Sequence, residues 1–350
     1  MHVPKSLYEF FQQSHTRYRV YDMGRGIRRA DKALFEQFEE GRAAWPWPLQ
    51  QHAWLAIVGW NEHDTEQHFI WFLKFPLDEN GQLIQATRDA FLATLLHSIG
   101  ENLQATRQGE TLQDGMRESP YGFKPKESHM AAIHALVSQR LGRPPSRFYP
   151  HACDYLDGIP GYDQWAFVGL QGIADVIARL EQDEHLARLL KALPELPAPA
   201  LHALCGLLEN ISLPTRVAEA LQRRVLHELE KDPADPHTLA ALLRAYAQSP
   251  ARGIREQLIL TLLQGPYRHR VDVLAAIAAR NWEILHNPEL ARAFVEALAA
   301  NDLGQDAFNQ VMADLLYLPG MRASLLAQLR NPERSQTLDK AVAGLFGPAL

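Results

Sequence analysis

The sequence predicts an α+β N-terminal domain with a small antiparallel sheet, followed by an all-α helical-repeat domain, a HEAT-like α-solenoid. Three observations carry this reading. Strand-like runs, alternating or apolar on both faces, occupy three places between residues 17 and 75. From Tyr162 to Phe346 the pattern changes to one helix after another, joined by short turns. Within that half Pro214, Pro250, Pro288 and Pro319 recur in the same place inside successive helix pairs.

Pro4 is suited to open a helix, because its missing N–H costs nothing in the first turn. Leu7, Phe10 and Phe11 then share one face. From Arg17 to Asp22, Tyr18 and Val20 point one way and Arg17, Arg19 and Tyr21 the other, a half-buried strand. Met23-Gly24-Arg25-Gly26 is a turn. Asp31 is placed to cap a helix carrying Leu34, Phe35 and Phe38, which Gly41 stops. Trp45-Pro46-Trp47-Pro48 cannot be regular structure, since each proline removes a donor and restricts its predecessor. Trp54 to Trp60 is apolar on both faces and reads as a central strand. Phe69 to Phe75 pairs with it as an antiparallel hairpin, and Asn80-Gly81 is a turn. Ala86 to Leu103 is a helix with Phe91, Leu95, Ile99 and Leu103 in register. The domains are therefore 1–106 (α+β), 107–126 (a linker or long loop) and 127–350 (all-α).

In the second domain Glu127 to Leu141 forms a helix with His134 on its apolar stripe, a core position. Trp165 to Leu180 reads as one long helix. Helix pairs then start near Ala198, Pro236, Arg270 and Gly304, a spacing of roughly 34–38 residues that falls in the range of helical repeats. Each proline is placed as the first residue of the second helix of its pair. No pair buries its apolar face alone, so stacking is what forms the core. The alternative is an irregular helical bundle.

Composition narrows function. The chain has 350 residues, with 35 Lys and Arg against 41 Asp and Glu. That acidic balance disfavours broad nucleic-acid binding. Cys153 and Cys205 make no CxxC pair, which points to a reducing, cytoplasmic setting. The first residues lack a basic stretch followed by an apolar run, and apolar runs elsewhere fall short of the ~20 residues of a membrane span.

Candidate chemistry is sparse. Gly24-Arg25-Gly26 lacks the third glycine of a dinucleotide fingerprint. Arg17, Arg19, Arg25, Arg28 and Arg29 form the most basic stretch, either an anion or partner contact or the solvated face of a strand and its turn. Trp45 and Trp47 are either an exposed aromatic contact or a cover for the sheet. His63-Asp64-Thr65-Glu66-Gln67-His68 and the group His151, Cys153, Asp154, Asp157 hold metal-ligand types, but both read better as polar surface. No partner that would activate Cys153 is identifiable, and Cys205 is core. No catalytic residue, cofactor or metal site is assigned.

Tyr18-Arg-Val-Tyr-Asp-Met-Gly-Arg25, Trp45-Pro-Trp-Pro48, Phe69-Ile-Trp-Phe-Leu-Lys-Phe-Pro-Leu-Asp78 and Gly169-Leu-Gln-Gly-Ile-Ala174 together resemble a family of bacterial proteins of unknown function. The resemblance spans nearly the whole chain. It implies a bacterial cytoplasmic protein and no catalytic residue, ligand or partner. The expected function is an interaction scaffold that binds a protein or peptide on its helical surface. The alternative is an enzyme or anion-binding protein with a site between the domains near the Arg25–Arg29 turn, and nucleic-acid binding ranks third.

Overall fold

The computed structural model describes residues 4–61, 64–105 and 119–347, with side chains outside 61–67 and 98–105. The chain divides into two units, Met1–Lys126 with Tyr317–Pro319, and Glu127–Leu316 with Gly320–Leu350.

The first unit is built on four antiparallel strands, β1 (Thr16–Asp22), β2 (Arg28–Ala30), β3 (His52–Asn61) and β4 (Asp64–Pro76), in the order β2-β1-β3-β4. The short β2 was not expected; it returns from the Met23–Gly26 turn to pair Val20 with Ala30. The register sets Val20 opposite Ile57, and Ile57 opposite Trp71. One face of the sheet thus gathers Val20, Leu55, Ile57, Trp71, Leu73 and Phe75. Helices α1 (Leu7–Gln13), α2 (Lys32–Glu39) and α3 (Gln85–Ala105) add Phe11, Phe35, Phe38 and Phe91 to the same cluster. Each such aromatic ring removed from water is worth about 1.5–3 kcal/mol. β3 is buried on its second face too, at Ala56 and Val58, as its two-sided apolar pattern requires.

Local signals hold with shifts of detail. Helix α1 starts after Pro4, where the Ser6 hydroxyl accepts from Glu9 N at 3.1 Å. Asp31 occupies the N-cap position of α2 but makes no side-chain capping bond. At the Asn80-Gly81 turn, Gly81 has φ +75° and donates to Asp78 O at 3.0 Å, and Leu77 bridges Leu83. Most of the 107–126 stretch lies outside the described residues. Its end does not run as a plain linker, because Lys74 N donates to Tyr121 O at 2.7 Å and Phe123 N to Phe72 O at 3.2 Å along the β4 edge.

The second unit is helical: α4 (Glu127–Arg140), α5 (Tyr149–Leu156), α6 (Leu170–Ala178), α7 (Asp183–Ala192), α8 (Ala198–Leu208), α9 (Thr215–Leu229), α10 (Pro236–Ala245), α11 (Arg252–Gln264), α12 (Val271–Arg280), α13 (Pro288–Ala299), α14 (Gln305–Leu316), α15 (Met321–Leu329) and α16 (Gln336–Phe346). The series α6, α8, α10, α12, α14, α16 packs each member on the next, and so does the series α5, α7, α9, α11, α13, α15. The central helices α8 and α10 bury Leu201, Leu204, Leu208, Leu239, Leu242 and Leu243.

Three expectations are corrected here. The Trp165–Leu180 stretch is not one helix: a 3-10 segment, Tyr162–Phe167, ends before Gly169, and α6 begins at Leu170. The break lets α6 sit on the chain entering α5. A Cβ on Gly172 would lie 2.3 Å from the Phe148 carbonyl oxygen, so only glycine allows that approach. His134 faces solvent, and its neighbour His129 is the buried histidine of α4. Of the four prolines only Pro288 is a first helical residue; Pro214 is an N-cap, and Pro250 and Pro319 lie two residues before their helices.

Candidate functional site

The two features that stand out in the N-terminal sequence bury one another. Asp22, at the end of β1, is fully buried; its Oδ1 accepts from Trp45 Nε1 at 3.1 Å and its Oδ2 from Arg25 N at 2.9 Å. Arg25, also 0% exposed, donates from Nε to Pro48 O at 2.7 Å. Trp45 lies against Phe38, with ring centres 5.0 Å apart. Arg25 is therefore not an anion contact and Trp45 is not an exposed aromatic contact. An indole N–H and a guanidinium taken out of water need acceptors, and each finds one in the other's segment. Trp47 is half-buried against the same core.

The remaining arginines diverge. The register places Arg17, Arg19 and Arg29 on one sheet face and Arg28, opposite Asp22, on the other. Arg17 and Arg29 are exposed, Arg28 is half-buried, and Arg19 lies 5.3 Å over the Trp60 ring. The five do not converge on one site. Among the described residues of this unit two carboxyls are perturbed. Burial pushes Asp22 up to about 7, against the pull of its donors and of Arg28. Burial likewise pushes Glu39 up to about 7, although Leu7 N and Tyr8 N donate to it at 2.8 and 2.9 Å.

A buried polar cluster lies in the helical unit. Glu209, just past α8, is buried. Its carboxylate meets Arg280 Nε of α12 at 3.2 Å, Arg244 Nε of α10 at 3.5 Å and His129 Nε2 of α4 at 3.7 Å. Its backbone carbonyl accepts from Gln248 Nε2 at 3.2 Å, and Asn281 Nδ2 donates to Leu243 O at 2.9 Å. One carboxylate thus ties together four helices. The Arg244 side chain stays 38% exposed, while that of Arg280 keeps 12%. Sequence reasoning passed over Glu209, Arg244 and Arg280. Arg255 is buried, donating to Ala247 O at 3.3 Å and pairing with Glu283 at 3.8 Å. A signal was present: Arg244 and Arg280 both fall in the last turn of the first helix of a pair.

Cys153 belongs to a second network. Tyr149 and Cys153 lie one turn apart on α5, and Tyr149 Oη is 2.9 Å from His185 Nε2 on α7. Arg188 Nη1 lies 3.3 Å from His185 Nδ1, and its Nε donates to Asp157 at 3.0 Å. A guanidinium only donates, so Nδ1 accepts and the imidazole proton sits on Nε2, facing Tyr149. Burial lowers the His185 pKa and raises that of Cys153, outweighing the pull of Arg188 and the Tyr149 hydroxyl. A thiol held protonated is a poor nucleophile. Burial pushes Cys205 further, up to about 12. Of the His63–His68 string only the His68 side chain lies within the described residues. Among the described residues no His, Cys, Asp and Glu group is arranged for a metal ion, and no helix is long and apolar enough to cross a membrane.

A family model described as "Protein of unknown function (DUF3549)" matches residues 4–346. No curated protein and no solved structure matches the chain.

Proposed function

We propose that this chain, which belongs to the DUF3549 family, is an interaction protein whose helical unit is a HEAT-like repeat array that binds a protein or peptide. One observation supports the repeat reading. Five of the side-chain bonds joining a helix pair to the next share nearly one sequence separation, beside others that span 28–33 residues. His202 to Thr238 spans 36 residues, Gln248 to Glu209 39, Asn281 to Leu243 38, Ser324 to Leu285 39 and Gln305 to Ala341 36. An irregular bundle has no reason to repeat one offset; a stack of equivalent units does. Such stacks present long rows of helix faces, and protein recognition is the use to which that surface is suited, by analogy of architecture. A reducing, cytoplasmic setting belongs to the same reading, in keeping with two buried cysteines left as thiols. The anion-site alternative at the Arg25–Arg29 turn loses its central residue, because Arg25 is occupied by Pro48.

The test is affinity purification of the full chain from its native host with quantified stoichiometry, followed by cross-linking. The expected result is a near-stoichiometric partner whose cross-links fall on residues 198–346. No stoichiometric partner, or cross-links confined to residues 4–105, would overturn the proposal.

A further inference from the structure

We infer that the outer stripe of α5, with the chain that follows it, is a docking surface for a second copy of this protein, the two α5 helices lying antiparallel about a two-fold axis. The inference goes beyond the protein-binding reading above and does not depend on it. Three observations lead to it. First, large apolar side chains stand open to water there. Phe167, 76% exposed, and Ile159, 72% exposed, are the most exposed of their kind among the described residues, and Phe148 is exposed as well. Apolar groups gathered in the open mark an interaction surface. Second, they stand at the two ends of α5. Phe148 precedes the helix and Ile159 follows it. The chain then folds back along α5, with the Tyr162 and Trp165 rings 5.7 and 5.6 Å from that of Tyr155. It reaches Phe148 again at Gly169, where a Cβ would lie 3.0 Å from the Phe148 ring. Phe167 therefore stands at the Phe148 end, and Ile159 holds the other. Third, the stripe between the ends carries one charge of each sign. Ala152, Cys153, Tyr155 and Leu156 are buried, which leaves Arg147, Pro150, His151 and Asp154 exposed at helical spacing. Among the described residues neither Arg147 nor Asp154 has an ion pair or a side-chain hydrogen bond. Arg147 lies 4.9 Å over the Phe148 ring, a placement that leaves the N–H groups in the guanidinium plane open to a carboxylate. A two-fold axis makes every contact occur twice. With the axis passing Pro150 and His151, each Arg147 meets the partner's Asp154, and each Ile159 meets the partner's Phe148 and Phe167. A surface of a single sign would repel its own copy; this one answers itself. One short helix and one loop from each copy make a small interface, so the dimer is a weak one.

The test is sedimentation equilibrium of the full chain from micromolar to submillimolar concentration. The expected result is a reversible equilibrium between monomer and dimer. Phe167→Ser should weaken the dimer about tenfold. Arg147→Asp should weaken it by about tenfold or more, because two like-charge contacts replace two pairs, and Asp154→Arg should do the same. Mixing these two charge variants should restore a dimer, since the mixed pair regains both contacts with their signs exchanged. All three positions are exposed, so the variants should fold, and circular dichroism checks that they do. If a charge variant fails to fold, Phe167→Ser decides. A chain that stays monomeric throughout, or that assembles beyond a dimer, would overturn the inference. So would a dimer unchanged by Phe167→Ser, or charge variants that weaken it and do not recombine. Each of these failures leaves the protein-binding reading standing.

Discussion

Glu209 is where a conservative change should cost the most stability. Glu209→Gln keeps the volume of the side chain and removes its charge. The cost follows from what is left behind. Arg244 is more than one third exposed and recovers most of its hydration, so its share is under about 1 kcal/mol. Arg280, 12% exposed, loses its nearest carboxylate while its charge stays largely buried. Removing one member of a buried pair costs about 3–5 kcal/mol. Arg280 has further contacts, so we expect about 3 kcal/mol. For a unit of this size that is a fall in Tm of about 6–12 °C. The assay is thermal and urea denaturation followed by the helical signal in far-UV circular dichroism. Adding Arg280→Met to Glu209→Gln should recover part of the loss, because it removes a largely buried charge whose carboxylate has gone. Glu219→Gln, at an exposed position of α9, should change almost nothing. A Tm within about 1 °C of wild type for Glu209→Gln would refute the idea that this carboxylate holds the helices together.

The other predictions concern both units. Asp22 and Glu39 each have a folded pKa of about 7, above their unfolded values near 4, so the folded state binds protons more tightly. Their contribution is fully present below pH about 4 and is lost as pH rises to about 7, by an amount on the order of 4 kcal/mol per group. Urea midpoints should fall across that window in wild type and fall less steeply in Asp22→Asn. Equal slopes would count against the burial argument. A disulfide reagent at pH 7.5 should find no fast thiol in the folded protein and two after denaturation, because burial raises both cysteines. Gly172→Ala places a Cβ 2.3 Å from Phe148 O and 2.9 Å from the Ala152 Cβ. Overpacking of that kind costs about 1–3 kcal/mol, read as a lower Tm; an unchanged Tm would mean that α5 and α6 are not held so tightly.

Much of the fold was legible because its signals are local. The alternation of Tyr18 and Val20 against Arg17 and Arg19 follows from strand geometry, and the paired strands β3 and β4 appear where the apolar runs stand. Helices α8, α10, α12 and α14 begin at Ala198, Pro236, Val271 and Gln305, each within a residue of the pattern read from the sequence. The prolines were legible as punctuation but not as exact positions, since a proline is tolerated at an N-cap or just before a helix as well as inside its first turn. The short β2 was missed because three residues leave no period to read.

The candidate sites were the reverse. The sequence by itself determined that arginines and tryptophans stand at residues 17–29 and 45–48, and that one helix follows another after Ala198. It could not say that Arg25 and Trp45 spend their donors on Pro48 and Asp22, because those partners lie 23 residues away. Nor could it say that Glu209, Arg244 and Arg280 meet, since each alone reads as an ordinary charge at a helix end. Only the stacking of α8, α10 and α12 brings those ends together. Whether a polar group is surface, cap or clamp depends on what faces it, and that is a property of tertiary packing rather than of its neighbours in the chain.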